Sequence, residues 1–120
     1  MTMTIAVKNA RVDAAPEDGY RILVDRLWPR GLRKERLQLD EWNKDIAPSA
    51  ELRAWFGHDR RKWEAFKHRY FRELDDRPDA VEALIVKIRE KPVTLVFGAR
   101  DACANHACAL KEYLERKGAS

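Results

Sequence analysis

Two short apolar runs limit this chain more than any other feature: Tyr20-Arg21-Ile22-Leu23-Val24 near its start and Val93-Thr94-Leu95-Val96-Phe97-Gly98 near its end. Both are β-rich, and the first suits a strand buried on both faces, as in a parallel sheet covered by helices. Helical patterns lie between them. Ser49 after Pro48 is a candidate N-cap, Glu51 sits well against the positive helix end, and Gly57 can stop that short helix. Asp59 can cap the next helix, where Trp63, Phe66, Tyr70 and Leu74 recur at helical spacing until Asp75, Asp76 and Pro78 break it. Val81, Leu84, Ile85 and Ile88 repeat the i, i+3, i+4, i+7 pattern, and Pro92 closes that segment. A last helix carries Cys103, Ala107, Leu110 and Leu114 on one side, with Gly118 as its stop. Ile5 and Val7 mark a further strand, and Leu37, Leu39 and Trp42 suggest another. Strands separated by helices need crossover connections. The expectation is therefore one small three-layer α/β domain over residues 1–120, with a mainly parallel sheet flanked by helices.

Composition narrows the function classes. Twenty-four Lys and Arg against 20 Asp and Glu give +4, too balanced for a histone-like or polybasic protein. No run approaches the roughly 18 apolar residues of a membrane span, and the start lacks a basic-then-apolar signal region. Two cysteines cannot build a disulfide framework, so a cytoplasmic location with no membrane partner is expected. The five glycines are isolated, which excludes a dinucleotide fingerprint and a P-loop. Two serines leave no nucleophile elbow, and no HExxH surrounds His58, His68 or His106. Cys103 and Cys108 lack the arginine six residues on that a cysteine phosphatase needs. Cys103 and His106 could share a helical face, but Cys108 points about 200° away from His106. Neither a metal site nor a cofactor is expected.

What remains is placement. In open parallel sheets, ligands bind outside the carboxyl ends of the strands. The first apolar run delivers Asp25 and Arg26 there, with Trp28 and Arg30 close behind. The last delivers Arg100 and Asp101, just before a helix whose opening turn holds Asn105 and His106. Arginines beside a helix start favour an anion, so Arg26, Arg30 or Arg100 could grip a phosphate, carboxylate or sulfate. His106 is the candidate general acid–base, with Asp101 or Asp25 to orient it, and Asn105 could fix the ligand by its amide. The plainer readings are ion pairs tying loops to the sheet edge, Asp101 as an N-cap, Trp28 in packing, and Cys103 as a small core residue. A rival site is the basic face of helix 60–74, where Arg61, Lys62, Arg69 and Arg72 could hold nucleic-acid phosphates. The aromatics of that helix fall on its core side.

The run Gly19-Tyr20-Arg21-Ile22-Leu23-Val24-Asp25-Arg26-Leu27-Trp28-Pro29-Arg30-Gly31 strongly resembles the signature of the YeaO-like proteins, a branch of a DUF488-type domain-of-unknown-function family. The likeness continues through Leu39-Asp40-Glu41-Trp42, Leu52-Arg53 and Trp55-Phe56-Gly57-His58-Asp59, and returns at Val93-Thr94-Leu95-Val96, Asp101 and Asn105-His106-Ala107. It implies a compact α/β domain of about this length, cytosolic and mostly bacterial, and brings no activity with it. The matching positions overlap the strand-tip constellation. The pattern departs at Cys103, where similar proteins more often carry an acidic residue, which counts against a cysteine mechanism.

Overall fold

The computed structural model describes residues 4–101 and 103–118. Four strands, β1 (Ile5–Asn9), β2 (Tyr20–Leu23), β3 (Glu41–Trp42) and β4 (Val93–Phe97), form one sheet in the order β1-β4-β2-β3, every pair parallel. The α/β class follows directly. Helices α1 (Lys34–Leu37), α2 (Ala50–Phe56), α3 (Trp63–Asp75) and α4 (Pro78–Glu90) occupy the connections, and α5 (His106–Gly118) follows β4.

The apolar runs divide their side chains between two cores, because successive strand residues point to opposite faces. Ile22, Val93, Leu95 and Phe97 join Phe66, Tyr70, Leu84, Ile85, Leu110 and Leu114 in the larger core under α2 to α5. Leu23 and Val96 turn the other way and pack with Ala10 and Leu37 beneath Trp28, Leu32, Leu39 and Trp42. The outer layers are therefore unequal: four helices on one face, a single helical turn and a tryptophan-bearing loop on the other. β4 is central and wholly buried, which is why its run carries no charge.

Arg21 is the exception in β2, and its surroundings account for it. The residue is 3% exposed; Nη1 meets Asp18 at 2.6 Å and Nε donates to the Leu37 carbonyl at 2.9 Å. Lys8 joins the same carboxylate at 2.7 Å. This buried pair lies at the amino end of the sheet and clips the β1–β2 connection to β2.

The helix boundaries agree with the capping signals. Ser49 Oγ accepts the Leu52 N–H at 3.1 Å, and Gly57 ends α2 in the left-handed region at φ 54°. Asp59 accepts the Arg61 N–H in the turn before α3. Two expectations need correction. Leu37 belongs to α1, leaving only Glu41 and Trp42 in β3. Cys103 is exposed and precedes α5 rather than riding on its apolar face, because Asp101 takes the Cys103 and Ala104 N–H groups into a tight turn.

Candidate functional site

Parallel strands place all their carboxyl ends on one edge, and the segments leaving β1, β2 and β4 meet there around a cleft of about 680 Å³. β1 supplies Arg11; β2 supplies Asp25, Arg26, Trp28 and Arg30. β4 supplies Gly98, Arg100 and Asp101, and α5 opens with His106. Arg53 of α2 and His58 close the remaining side. The two strand tips thus open onto the same hollow, with Arg26 and His106 both in its wall.

Asp25 ties these segments together. Its Oδ2 accepts the Gly98 N–H at 2.9 Å, its backbone carbonyl accepts Trp42 Nε1 at 2.7 Å, and its Oδ1 lies 2.7 Å from His106 Nε2. The last two atoms are sealed from solvent and neither has an aligned hydrogen bond, so their contact is a close approach rather than a formed bond. Asp25, rather than Asp101, is the carboxylate beside the imidazole.

Asp101 serves the turn instead. Arg60 grips it with two bonds of 2.5 and 2.8 Å, and the Cys103 and Ala104 N–H groups each reach it at 2.9 Å. The Arg60 guanidinium, followed by those backbone donors, holds its carboxyl far below the usual range, so it stays ionised and has no proton to give. Asn105 is 2% exposed and both ends of its amide are engaged: Nδ2 donates to the Asp101 carbonyl at 2.8 Å and Oδ1 accepts the Cys108 N–H at 2.9 Å. Several donors near the start of α5 are therefore already bound within the chain. Trp28 is held as firmly, with Nε1 donating to the Leu32 carbonyl at 2.7 Å and its ring edge-on to Trp42.

The positive character of the cleft comes from side chains. Five arginines (Arg11, Arg26, Arg30, Arg53 and Arg100) face two aspartates, and those aspartates already have Arg60 and His106 beside them. Arg11 donates to the Gly98 carbonyl at 3.1 Å. Among the described residues, the side chains of Arg26, Arg30, Arg53 and Arg100 make no hydrogen bond or ion pair, and Arg26 Nε is shut away from solvent without a partner. Buried donors are nearly always satisfied, so an orphan on a residue that lines a cleft is unusual.

Arg11, Arg53 and His58 were not singled out by the strand-tip argument. Arg53 and His58 fall within the stretch of family resemblance, which is the available signal for them; Arg11 has none. His58 stands out structurally, with φ 59° directly after the left-handed Gly57, a region that residues with a Cβ seldom occupy.

On the rival face, Arg61 pairs with Asp59, Lys62 donates to the Trp55 carbonyl at 2.8 Å, and Arg69 stacks 4.0 Å above the Trp55 ring. Arg72 is exposed. Among the described residues no group of three or more His, Cys, Asp or Glu is placed to hold a metal ion, and no helix is long and apolar enough to cross a membrane.

Residues 4–120 match the family described as the inactive DUF488-N3 subclade. The uncharacterised protein YeaO of Escherichia coli (strain K12) is 41% identical over 112 residues, covering 93% of this chain and 97% of its own. The uncharacterised protein Rv3073c of Mycobacterium tuberculosis (strain ATCC 25618 / H37Rv) is 40% identical over 117 residues, covering 95% and 98%. No solved structure matches with significance.

Proposed function

This chain belongs to the inactive DUF488-N3 subclade, and with that as premise we propose that its strand-tip cleft binds a small anion, phosphate- or carboxylate-bearing, through Arg26, Arg30 and Arg100 with Arg53 beside them. One observation carries this reading: four arginines whose side chains have no partner among the described residues line one cleft, and the buried Nε of one of them has no acceptor among those residues. Like charges held together repel, and a forked oxyanion relieves that repulsion while filling several donors at once. Asp25 sets the position of His106 in the wall, where the imidazole adds a further donor when protonated. Trp28, Asp101 and Asn105 support the reading as wall and turn residues whose bonds hold the arginine-bearing segments in place. The family's description as inactive favours binding over turnover.

Nucleic-acid binding through helix 60–74 draws less support, since Arg61, Lys62 and Arg69 are each held by neighbours in the same chain. Thermal melting with inorganic phosphate, acetate and citrate at fixed ionic strength tests the cleft. Saturating a site at about 100 times Kd stabilises the fold by about 2.7 kcal/mol, a shift of several degrees. Arg26→Ala is expected to abolish the shift. An equal shift in that variant rejects the site.

A further inference from the structure

Beside the arginine cleft lies a second hollow of about 70 Å³, five of whose nine lining residues are apolar. Pro48, Phe56, Phe66, Ala99 and Ala104 form its apolar part. Asn105 also lines it, but its amide is bonded at both ends within the chain, so it presents little to a guest. Arg53, His58 and His106 belong to both the hollow and the cleft, as do Pro48 and Ala99, so the two spaces adjoin along a shared, polar wall. We infer that the bound anion carries a short hydrocarbon chain, with its oxyanion head among the arginines and its chain against the apolar part of the hollow; this rests on the anion-binding reading of the cleft.

Size and shape limit the chain. The hollow is well under the roughly 150 Å³ of an apolar cavity that takes benzene, so it suits a few aliphatic carbons and not an aromatic ring. The boundary between the two spaces is shaped by backbone geometry as well. Gly57 and His58 take consecutive left-handed conformations, φ 54° and 59°, which turn the chain sharply after α2 and bring the exposed His58 to the shared wall. Its ring centroid lies 6.4 Å from that of Phe56. His58 is thus placed where head and chain of the ligand would join.

Calorimetric titration with two series, straight-chain carboxylates from acetate to hexanoate and alkyl phosphates from methyl to butyl, tests this against benzoate and inorganic phosphate. In at least one series, affinity is expected to rise roughly fourfold per added methylene until the hollow is full, then level or fall. Which series rises identifies the head group. Ala104→Leu, which fills the hollow, is expected to flatten the series. Phe66→Leu, which enlarges it, is expected to move the optimum to a longer chain and admit benzoate; if Ala104→Leu does not fold, this variant decides. Binding of acetate or inorganic phosphate that depends on Arg26 but shows no chain-length increment overturns the inference and leaves the anion reading standing. No binding by any of these anions overturns both.

Discussion

His106 Nε2 lies 2.7 Å from Asp25 Oδ1, joining the first residue of α5 to the segment that leaves β2, 81 positions earlier in the chain. The other oxygen of the same carboxylate holds the Gly98 N–H, so one side chain links the exits of β2 and β4 to the start of α5. Asp25→Ala leaves the Gly98 donor and the imidazole without this partner, and is expected to lower stability by about 2 kcal/mol. Asp25→Asn retains an acceptor for Gly98 and should lose less. Urea unfolding midpoints at pH 7 measure both.

Gly98 tests the same link from the other side. A Cβ there would come within 2.9 Å of Asp25 Oδ2 and 3.5 Å of Pro29 Cβ, so Gly98→Ala must displace the carboxylate. A loss of about 1–3 kcal/mol is expected. In the Asp25→Ala background the added methyl has room, so the double variant should fall short of the sum of the two single losses. Strict additivity in a double-mutant cycle would mean the two positions do not communicate.

At the opposite edge of the sheet, Asp18 contributes to the stability of the fold towards acid. Burial alone would raise its carboxyl, but hydrogen bonds from Lys8, the Ala15 N–H and Arg21 outweigh this and hold it below the usual range. A carboxyl depressed in the folded state adds stability above its unfolded value and loses it as pH falls through the folded value. The contribution should therefore fade below about pH 4. Asp18→Asn is expected to flatten that part of the stability–pH curve and, by stranding the buried Arg21, to lower stability at pH 7 by about 3 kcal/mol.

Two tyrosines contribute to the stability of the fold towards alkali. Tyr70 is fully buried and donates to the Ile46 carbonyl at 2.6 Å. Tyr113 is 6% exposed and bonds Asp75 at 2.6 Å. Burial raises both hydroxyls well above the ordinary phenol value of about 10, and for Tyr113 the bond to Asp75 adds to the effect. Groups neutral in the folded state and ionised in the unfolded one stabilise below the unfolded value, and that support drains away as pH rises beyond it. Ultraviolet absorbance during an alkaline titration should show two of the three tyrosines ionising only as the protein unfolds. Tyr70→Phe should cost about 1 kcal/mol at neutral pH.

Ser49 anchors α2 twice over, accepting the Leu52 N–H and donating from Oγ to Glu73 Oε2 on α3 at 2.5 Å. Its own N–H meets the other oxygen of Glu73 at 2.8 Å. Ser49→Ala is expected to cost about 1–2 kcal/mol by thermal melting. Because Arg53 rides on α2, the variant should also weaken anion binding if that arginine takes part.

Local chemistry determined a large share of this protein by itself. Ser49, Gly57, Asp59 and Pro78 mark helix ends through backbone bonds and torsions that depend on near neighbours, so those signals could be read along the chain. YRILV and VTLVFG announced buried parallel strands, because a strand covered on both faces has no place for alternating polar residues. Given parallel strands, the gathering of Asp25, Arg26, Arg30, Arg100 and His106 at one edge followed. Other features were settled only when distant segments came together. Asp101 and Asp25 look alike in sequence, each beside an arginine at a strand tip, yet one is claimed by Arg60 from the segment between α2 and α3 and the other by His106. Arg11, Arg53 and His58 enter the cleft from three elements that share no motif. Cys103 fits a helical face on paper, but Asp101 accepts its N–H and turns the chain before the helix begins. Strand and helix ends are set by interactions over a few residues; which carboxylate meets which cation is set by how the sheet and its helices pack, and no local pattern encodes that.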